Sequence, residues 1–251
     1  MDYLNKTIII TGGGTGIGLE IGKAYLNEGA NVVISGRRRE ILDKTLKNIT
    51  KSNEKYKMRL LAVKSDMSKE KEVINLFKRA KEKFSSIHAI INNAGCWSET
   101  SLLQCTSKEI DNMFNNNLKS TILGTKIAGD FIDKGGSIIN IGSFAGIMSI
   151  KSASLYSTYK AAIIQFTQSA ASEFANLNIR VNCVIPGVIK TPMTNDYIAE
   201  HHDRLIKSIA MKRFGDPSEI AFGVLFLTSH KASYITGISL EITGGKYLTQ
   251  L

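Results

Sequence analysis

The stretch Lys6–Leu19, KTIIITGGGTGIGL, decides how the 251-residue chain folds. Its first half, Thr7 to Thr11, is an apolar, β-branched run that predicts a buried strand, and a helical pattern begins near Leu19. The glycines between them let the backbone turn tightly and approach phosphate oxygens, while the helix N-terminus attracts negative charge. The stretch therefore predicts a pyrophosphate site. Its spacing is G-x-x-x-G-x-G rather than G-x-G-x-x-G, so a glycine turn without a ligand stays open as the alternative at this point.

The composition, with 43% hydrophobic residues, is typical of a globular protein, and we expect residues 1–251 to form one domain. No segment reaches about 18 consecutive apolar residues, so neither a membrane span nor a signal peptide is expected. Three cysteines without a CxxC pair fit a reducing compartment and predict a cytoplasmic protein. The lysines behind the net charge of +10 are spread along the chain, which indicates a solvated basic surface and no nucleic-acid partner.

The rest of the chain alternates between strand and helix patterns. Helical segments such as Lys69–Phe84 and Ala161–Phe174 separate apolar runs, and this alternation predicts an α/β fold: a single Rossmann-type, doubly wound parallel sheet of about seven strands with helices on both faces. The alternation lapses between Pro186 and Pro217, so residues 188–215 are predicted to be a mobile substrate lid. The six strands predicted after Thr7–Thr11 are Asn31–Ser35, Leu60–Lys64, His88–Ile91, Ser137–Ile141, Ile179–Ile185 and Ser239–Ile242.

The motif TGGGTGIG resembles the cofactor-binding signature of the short-chain dehydrogenase/reductase family, and the resemblance extends over essentially the whole chain. It implies an oxidoreductase with a nicotinamide cofactor, and the four histidines show no metal-ligand spacing. An Asp-hydrophobic pair, an NNAG turn and the segment PGVIKT match further family motifs. The cofactor contacts that the resemblance implies are Gly12, Gly14, Thr15, Gly16, Ile17, Gly18, Asp66, Met67, Asn93, Ala94, Gly95, Tyr156, Lys160, Pro186, Gly187, Ile189 and Thr191.

The end of the second strand indicates which nicotinamide cofactor is bound. Gly36 occupies the place where NAD-binding units have an acidic residue for the ribose hydroxyls, so no carboxylate would repel a phosphate there. Arg37, followed by Arg38, can offer a planar donor fork to a 2′-phosphate. The pattern favours NADP(H). NAD(H) stays open, because Arg37–Arg39 could instead simply begin an exposed helix.

Tyr156 and Lys160 are one helical turn apart, so on a helix their side chains share a face and the ammonium lies near the phenol. A nearby cation favours the phenolate, and we expect it to lower the pKa of Tyr156 from its ordinary value of about 10. Ser143 resembles the family's catalytic serine, whose hydroxyl binds the substrate oxygen. Asn117 sits where the family has the asparagine that helps hold a water linking the lysine to solvent. The implied catalytic set is Asn117, Ser143, Tyr156 and Lys160, with Ser143 and Tyr156 touching the substrate.

The implied reaction is reversible hydride transfer between the nicotinamide and a small-molecule carbonyl or alcohol. A 3-oxoacyl thioester is the first substrate prediction, because length and motifs resemble acyl-carrier-protein reductases. An NAD-dependent alcohol, sugar or steroid dehydrogenase is the main alternative, and a non-catalytic dinucleotide sensor is a remote one. The resemblance further implies a homotetramer that pairs through predicted helices at 106–132 and 156–175. Trp97, the loop 144–150 and the lid would line a substrate pocket that carries no recognisable code.

Overall fold

All strands of the protein lie in one parallel sheet. The computed structural model describes residues 2–246 and Leu248. The sheet has seven strands in the order β3-β2-β1-β4-β5-β6-β7, which confirms the predicted doubly wound α/β fold. The strands are β1 Thr7–Thr11, β2 Asn31–Gly36, β3 Leu60–Lys64, β4 Ala89–Asn92, β5 Ser137–Ile141, β6 Arg180–Pro186 and β7 Ser239–Ile242.

Eight α-helices surround the sheet in the described part of the chain. The predicted helix at 106–132 is continuous but widens into a π-helical segment, Phe114–Lys119, between α4 and α5. The first helix begins at Gly16, earlier than the pattern near Leu19 suggested, and α6 begins at Ser154, close to the predicted start at Tyr156. The helices are α1 Gly16–Asn27, α2 Arg39–Ser52, α3 Glu70–Phe84, α4 Ser107–Met113, α5 Ser120–Phe131, α6 Ser154–Phe174, α7 Asn195–Lys207 and α8 Pro217–Thr228.

Two apolar layers, one on each face of the sheet, hold the helices in place. Ile8 and Ile10 of β1 point into the layer shared with α1 and α8, whereas Ile9 between them points into the layer shared with α3, α5 and α6. All three side chains are almost wholly buried. A parallel strand covered by helices on both faces has no polar side, which explains why the strands are continuous apolar runs. The carboxyl ends of β1, β2, β4, β5 and β6 consequently meet at one edge of the sheet.

The segment 188–215, which the sequence predicts to be a mobile substrate lid, contains a regular helix. Helix α7 lies inside it, with a kink where His201 departs from helical geometry (φ −121°, ψ 20°). An apolar cluster of Val188, Leu205, Ile209 and Phe214 lies within the segment, and Phe144 from outside it packs against this cluster. The polar side chains of this segment, including those of His201 and His202, lie on the amphipathic helix α7.

No helix in the described residues 2–246 has both the length and the apolar character needed to cross a membrane.

Candidate active site

The glycine loop between β1 and α1 leaves no room for side chains. Gly12 and Gly16 have φ of +65° and +54°, a left-handed backbone that glycine adopts without strain. A Cβ on Gly18 would lie 2.5 Å from the Gly12 carbonyl oxygen and 2.6 Å from Asn93 Nδ2. The loop is therefore closely packed from beneath. It is followed at once by the N-terminus of α1, whose first N–H groups are free to meet an anion.

The NNAG turn is fastened to the end of β1 by a single threonine. The Thr11 hydroxyl accepts hydrogen bonds from the backbone N–H groups of Asn93, at 3.0 Å, and Ala94, at 2.9 Å. The Asn93 side chain in turn donates to the Thr11 carbonyl at 2.9 Å. These bonds hold the turn directly beside the glycine loop. Two loops that are 80 residues apart in sequence thus form one rigid floor.

Arg37 and Asp66 mark the end of the floor at β2 and β3. Asp66 Oδ1 accepts from the backbone N–H of Ser68 at 3.0 Å and from its hydroxyl at 2.8 Å. Burial alone would raise the pKa of Asp66, but these bonds and the nearby Arg37 guanidinium outweigh burial and lower it. Met67 is buried at 5% exposure in the layer beneath, so only its backbone is free to meet a ligand. The predicted adenosine-contacting residues therefore lie together.

A cleft of about 430 Å³ runs along this floor at the carboxyl edge of the sheet. It extends from Arg37 and Asp66 at one end, past the glycine loop, to Tyr156 and Lys160 at the other. Gly18 is the single predicted cofactor residue that is absent from its walls, because it packs beneath the loop. The predicted residues lining the cleft are Gly12, Gly14, Thr15, Gly16, Ile17, Arg37, Arg38, Asp66, Met67, Asn93, Ala94, Gly95, Asn117, Ser143, Tyr156, Lys160, Pro186, Gly187, Ile189 and Thr191.

Ser143 lies just beyond β5, facing helix α6. Its hydroxyl accepts a hydrogen bond from the backbone N–H of Ala145 at 3.2 Å, and the side chain is buried at 7% exposure. Ser143 and Tyr156 both line the cleft. The structure thus brings the predicted serine and tyrosine together. Both hydroxyls can then act on the same oxygen atom.

Lys160 is buried at 5% exposure beneath Tyr156. Its Nζ donates to the Ile141 carbonyl at 2.9 Å and lies 5.6 Å from the centre of the Tyr156 ring. Burial lowers the pKa of Lys160 to about 8, since a low-dielectric site disfavours the ammonium. The hydrogen bond to the Ile141 carbonyl and the adjacent Tyr156 ring stabilise the ammonium charge of Lys160 only in part.

The expectation that Lys160 lowers the pKa of Tyr156 is wrong for this structure. Burial raises the pKa of Tyr156 to about 12, and the interaction with Ser143 opposes that rise only in part. The helical spacing correctly places the two side chains on one face. Desolvation of the phenolate nevertheless outweighs the cation. The phenol is therefore held protonated at neutral pH.

Asn117 lies in the π-helical segment, where the wider turn displaces the chain from regular α geometry. Its Oδ1 accepts from the backbone N–H of Cys96 at 3.3 Å, and its Nδ2 donates to the Met113 carbonyl at 3.1 Å. A Cβ on Gly95 would lie 2.9 Å from this Oδ1 and 3.8 Å from Lys160 Nζ. Asn117 and Lys160 therefore meet at Gly95. π-Helical turns often occur at functional sites.

The wall beyond β6 is held by a threonine that the sequence did not single out. The Thr194 hydroxyl donates to the Ile189 carbonyl at 2.6 Å and accepts from the Thr191 N–H at 3.1 Å. Its position three residues after Thr191, just before α7, is typical of a side chain that closes a turn. Thr194 also lines the cleft, so it belongs to the candidate site.

Further lining residues were missed, and several of them adjoin a recognised motif. Ser35 directly precedes Gly36, and its buried hydroxyl has no hydrogen-bond partner within residues 2–246. Cys96 directly follows the NNAG turn. Sequence motifs identify the motif positions themselves and therefore do not identify these neighbouring residues. No cluster of three metal-ligating side chains occurs among the described residues.

Gly146 carries a testable packing constraint. A Cβ there would lie 2.7 Å from the Lys160 carbonyl carbon and 2.8 Å from the Ala161 nitrogen, so the turn after Ser143 packs directly on the backbone of α6. Gly146→Ala should therefore destabilise the protein by about 1–3 kcal/mol and lower Tm by several degrees in calorimetry. Gly36→Ala is the control, since its Cβ meets only Leu42 Cδ2 at 3.7 Å. Equal Tm values for the two variants would contradict the close packing.

Known families and curated proteins include relatives that match nearly the whole chain. The family described as Enoyl-(Acyl carrier protein) reductase matches residues 12–246. The chain is 36% identical over 247 residues to Carbonyl reductase family member 4 of Xenopus laevis, covering 98% of this chain and 99% of the relative. It is 33% identical over 251 residues to the 3-oxoacyl-[acyl-carrier-protein] reductase FabG of Staphylococcus epidermidis, covering 98% and 100%.

Two solved structures share the fold of this chain over nearly its whole length. A short-chain dehydrogenase/reductase from Brucella melitensis, described as a glucose/ribitol dehydrogenase, superposes with a TM-score of 0.93 at 28% identity and 99% coverage of both chains. A short chain dehydrogenase from Burkholderia cenocepacia in complex with NADP gives a TM-score of 0.91 at 29% identity, covering 98% of this chain and 99% of that one. The family match, the relatives and the shared sheet lead to one conclusion. The chain belongs to the short-chain dehydrogenase/reductase family of NAD(P)-dependent oxidoreductases.

Proposed function

We propose that the chain is an NADP(H)-dependent carbonyl reductase in which Tyr156 donates the proton. The observation that carries this proposal is the meeting of Ser143, Tyr156 and Lys160 at one end of a cleft whose other end holds Arg37. The cleft fits a dinucleotide, because the glycines of its floor let phosphate oxygens approach the backbone closely beside the N-terminus of α1. When bound, the nicotinamide supplies the hydride.

The residues of this chain supply the proton and hold the oxygen. The Ser143 hydroxyl, buried and fixed by Ala145, binds the carbonyl oxygen and stabilises charge that develops there. Tyr156 is protonated at neutral pH and lines the same cleft, where its phenol can donate a proton to that oxygen. Lys160 places an ammonium beside the phenol, and Asn117 holds the turn at Gly95 next to it.

The preference for NADP(H) rests on the end of β2. Gly36 carries no charge, and Arg37 and Arg38 both line the cleft there. Ser35 adds a buried hydroxyl without a partner in the described chain. These groups suit a 2′-phosphate, which a carboxylate at position 36 would repel. The solved relative from Burkholderia cenocepacia was crystallised with NADP, which supports the same choice.

A 3-oxoacyl thioester is the first substrate we propose, since relatives along the full chain are named 3-oxoacyl-[acyl-carrier-protein] reductases.

We also propose a homotetramer that pairs through the helices of residues 107–131 and α6. In the helices of residues 107–131, Ile110 and Phe114 are each 38% exposed. Phe114 packs against Tyr159 of α6, with ring centres 5.9 Å apart. The solution mass by light scattering tests the assembly.

Titration of NADPH and NADH into the purified protein, followed by fluorescence, tests the cofactor proposal. We expect NADPH to bind at least tenfold more tightly, a difference of about 1.4 kcal/mol, and to be oxidised when a ketone panel is added. Tighter binding of NADH would instead indicate an alcohol or sugar dehydrogenase. Binding without turnover of any ketone or alcohol would indicate a dinucleotide sensor.

Lys160 should give the reaction an alkaline limit. Its pKa is lowered to about 8 by burial, so the ammonium is present below that pH and lost above it. We therefore expect kcat/KM for NADPH, which reports ionisations of the free enzyme, to be level below about pH 7 and to fall above about pH 8. Tyr156 titrates far higher and cannot cause this limb. In Lys160→Arg the guanidinium stays charged, and a limb persisting near pH 8 in its residual activity would exclude Lys160 as its source.

A further inference from the structure

Trp97, the single tryptophan of the chain, contacts the ring of the proposed proton donor, Tyr156. The Trp97 ring meets that of Tyr156 edge to face, with centres 4.9 Å apart and planes at 87°. Tyr197 of α7 meets Trp97 at 5.7 Å and 65°. Trp97 thus bridges the catalytic helix and the segment 188–215. Tyr156 lines the cofactor cleft whereas Trp97 does not, so Trp97 covers a part of the tyrosine that the cofactor leaves free.

The two outer rings, Trp97 and Tyr197, form what we call the aromatic wall. Tyr197 packs against the apolar cluster of Val188, Leu205, Ile209 and Phe214, which backs the wall from behind. Phe144, the residue after Ser143, packs on the same cluster. Three aromatic rings, those of Trp97, Tyr197 and Phe144, therefore lie on this side of the site, and the Tyr197 hydroxyl accepts from Arg204 at 3.5 Å.

A ketone bound for reduction has little freedom here. Its oxygen must reach the hydroxyls of Ser143 and Tyr156, and its carbon must face the cofactor cleft. One of its two substituents then lies along the aromatic wall. Apolar groups gain by leaving water for such a surface, whereas hydroxyl groups placed there lose their hydrogen bonds to water.

We propose that Trp97 and Tyr197 determine substrate specificity by selecting ketones whose wall-facing substituent is apolar, and that they discriminate against polyhydroxylated ketones such as ketoses. This inference rests on the proposed reductase function and narrows it. An alkyl or acyl chain satisfies the wall. A sugar substituent would be desolvated against it without replacement partners.

Two substrate pairs test the proposal with NADPH and wild-type enzyme. Butan-2-one and 1,3,4-trihydroxybutan-2-one share one carbon skeleton and differ in three hydroxyl groups; we expect KM for the hydroxylated ketone to be higher by about 100-fold. Hexan-2-one and acetone differ only in the length of the apolar group, and hexan-2-one should have the lower KM. A lower KM for the trihydroxy ketone would overturn the proposal.

Variants of the wall separate selectivity from catalysis. Trp97→Ala should raise KM for hexan-2-one at least tenfold more than it raises KM for acetone, and Trp97→Phe should restore most of that difference. Tyr197→Ala should act in the same direction and provides a second variant should Trp97→Ala fold poorly. An equal loss for acetone and hexan-2-one would mean that Trp97 acts only by supporting Tyr156, and would overturn the proposal.

A binding readout keeps this test independent of turnover. Because Trp97 is the only tryptophan, its fluorescence in the wild-type protein with NADP⁺, which cannot reduce a ketone, should change on titration with hexan-2-one and not with the trihydroxy ketone at equal concentration. The opposite order would overturn the inference. If NADPH is not bound, or is bound but not oxidised by the four ketones or by a 3-oxoacyl thioester, the proposed function itself fails. If NADPH is oxidised but Trp97→Ala leaves the hexan-2-one to acetone ratio unchanged, only the role of the wall fails.

Discussion

Replacing Tyr156 with phenylalanine is expected to lower kcat for ketone reduction by about two to four orders of magnitude, the usual contribution of a positioned general acid. The change removes one oxygen atom and keeps the ring that contacts Trp97 at 4.9 Å. Lys160 keeps its hydrogen bond to the Ile141 carbonyl, so the cofactor floor should be unaltered. The dissociation constant of NADPH should therefore stay within about threefold while stopped-flow rates of NADPH oxidation fall.

Tyr159→Phe is the matched control for this experiment. It removes the same atom from the same helix, three residues further on. The Tyr159 hydroxyl donates only to the Ile110 carbonyl, at 3.4 Å on the surface, and is absent from the cleft walls. We expect kcat within about twofold of wild type. A large loss in this variant, or full activity in Tyr156→Phe, would mean that the proton comes from another group.

The fold could be predicted from the sequence because parallel strands buried on both faces must be apolar throughout. Runs such as Thr7–Thr11 and Ser137–Ile141 therefore stand out and match the observed strands residue for residue. Helix starts were less accurate. Gly18 is a poor helix former on its own, and it is helical here because α1 packs against β1 and α8.

Proximity within the site could also be predicted, whereas its electrostatics could not. A spacing of four residues places Tyr156 and Lys160 on one helical face whatever the rest of the chain does. How deeply both are buried depends on the turn after Ser143 and on Trp97, which approach from distant parts of the sequence. That burial raises the pKa of Tyr156 and lowers that of Lys160. The π-helical turn around Asn117 was likewise hidden, since three successive asparagines show only a polar interruption in a helix.

Cofactor choice should be reversible by two substitutions at the end of β2. Gly36→Asp places a carboxylate where it repels a 2′-phosphate and can accept hydrogen bonds from ribose hydroxyls, and Arg37→Ala removes the proposed phosphate donor. The added side chain has room, because a Cβ on Gly36 meets only Leu42 Cδ2 at 3.7 Å. Each change should shift the ratio of NADPH to NADH dissociation constants by about tenfold, or about 1.4 kcal/mol, and the double variant should prefer NADH.

Arg39→Ala distinguishes a specific phosphate contact from a general loss of positive charge. Arg39 begins α2, pairs with Asp43 at 3.0 Å and does not line the cleft. Its removal lowers the net charge by the same amount as Arg37→Ala, yet the ratio of dissociation constants should stay at the wild-type value. If both arginine variants lower NADPH affinity equally, the basic surface merely attracts the dinucleotide. A fall confined to Arg37→Ala, shrinking as salt is added, is what a direct ion pair between its guanidinium and the phosphate requires.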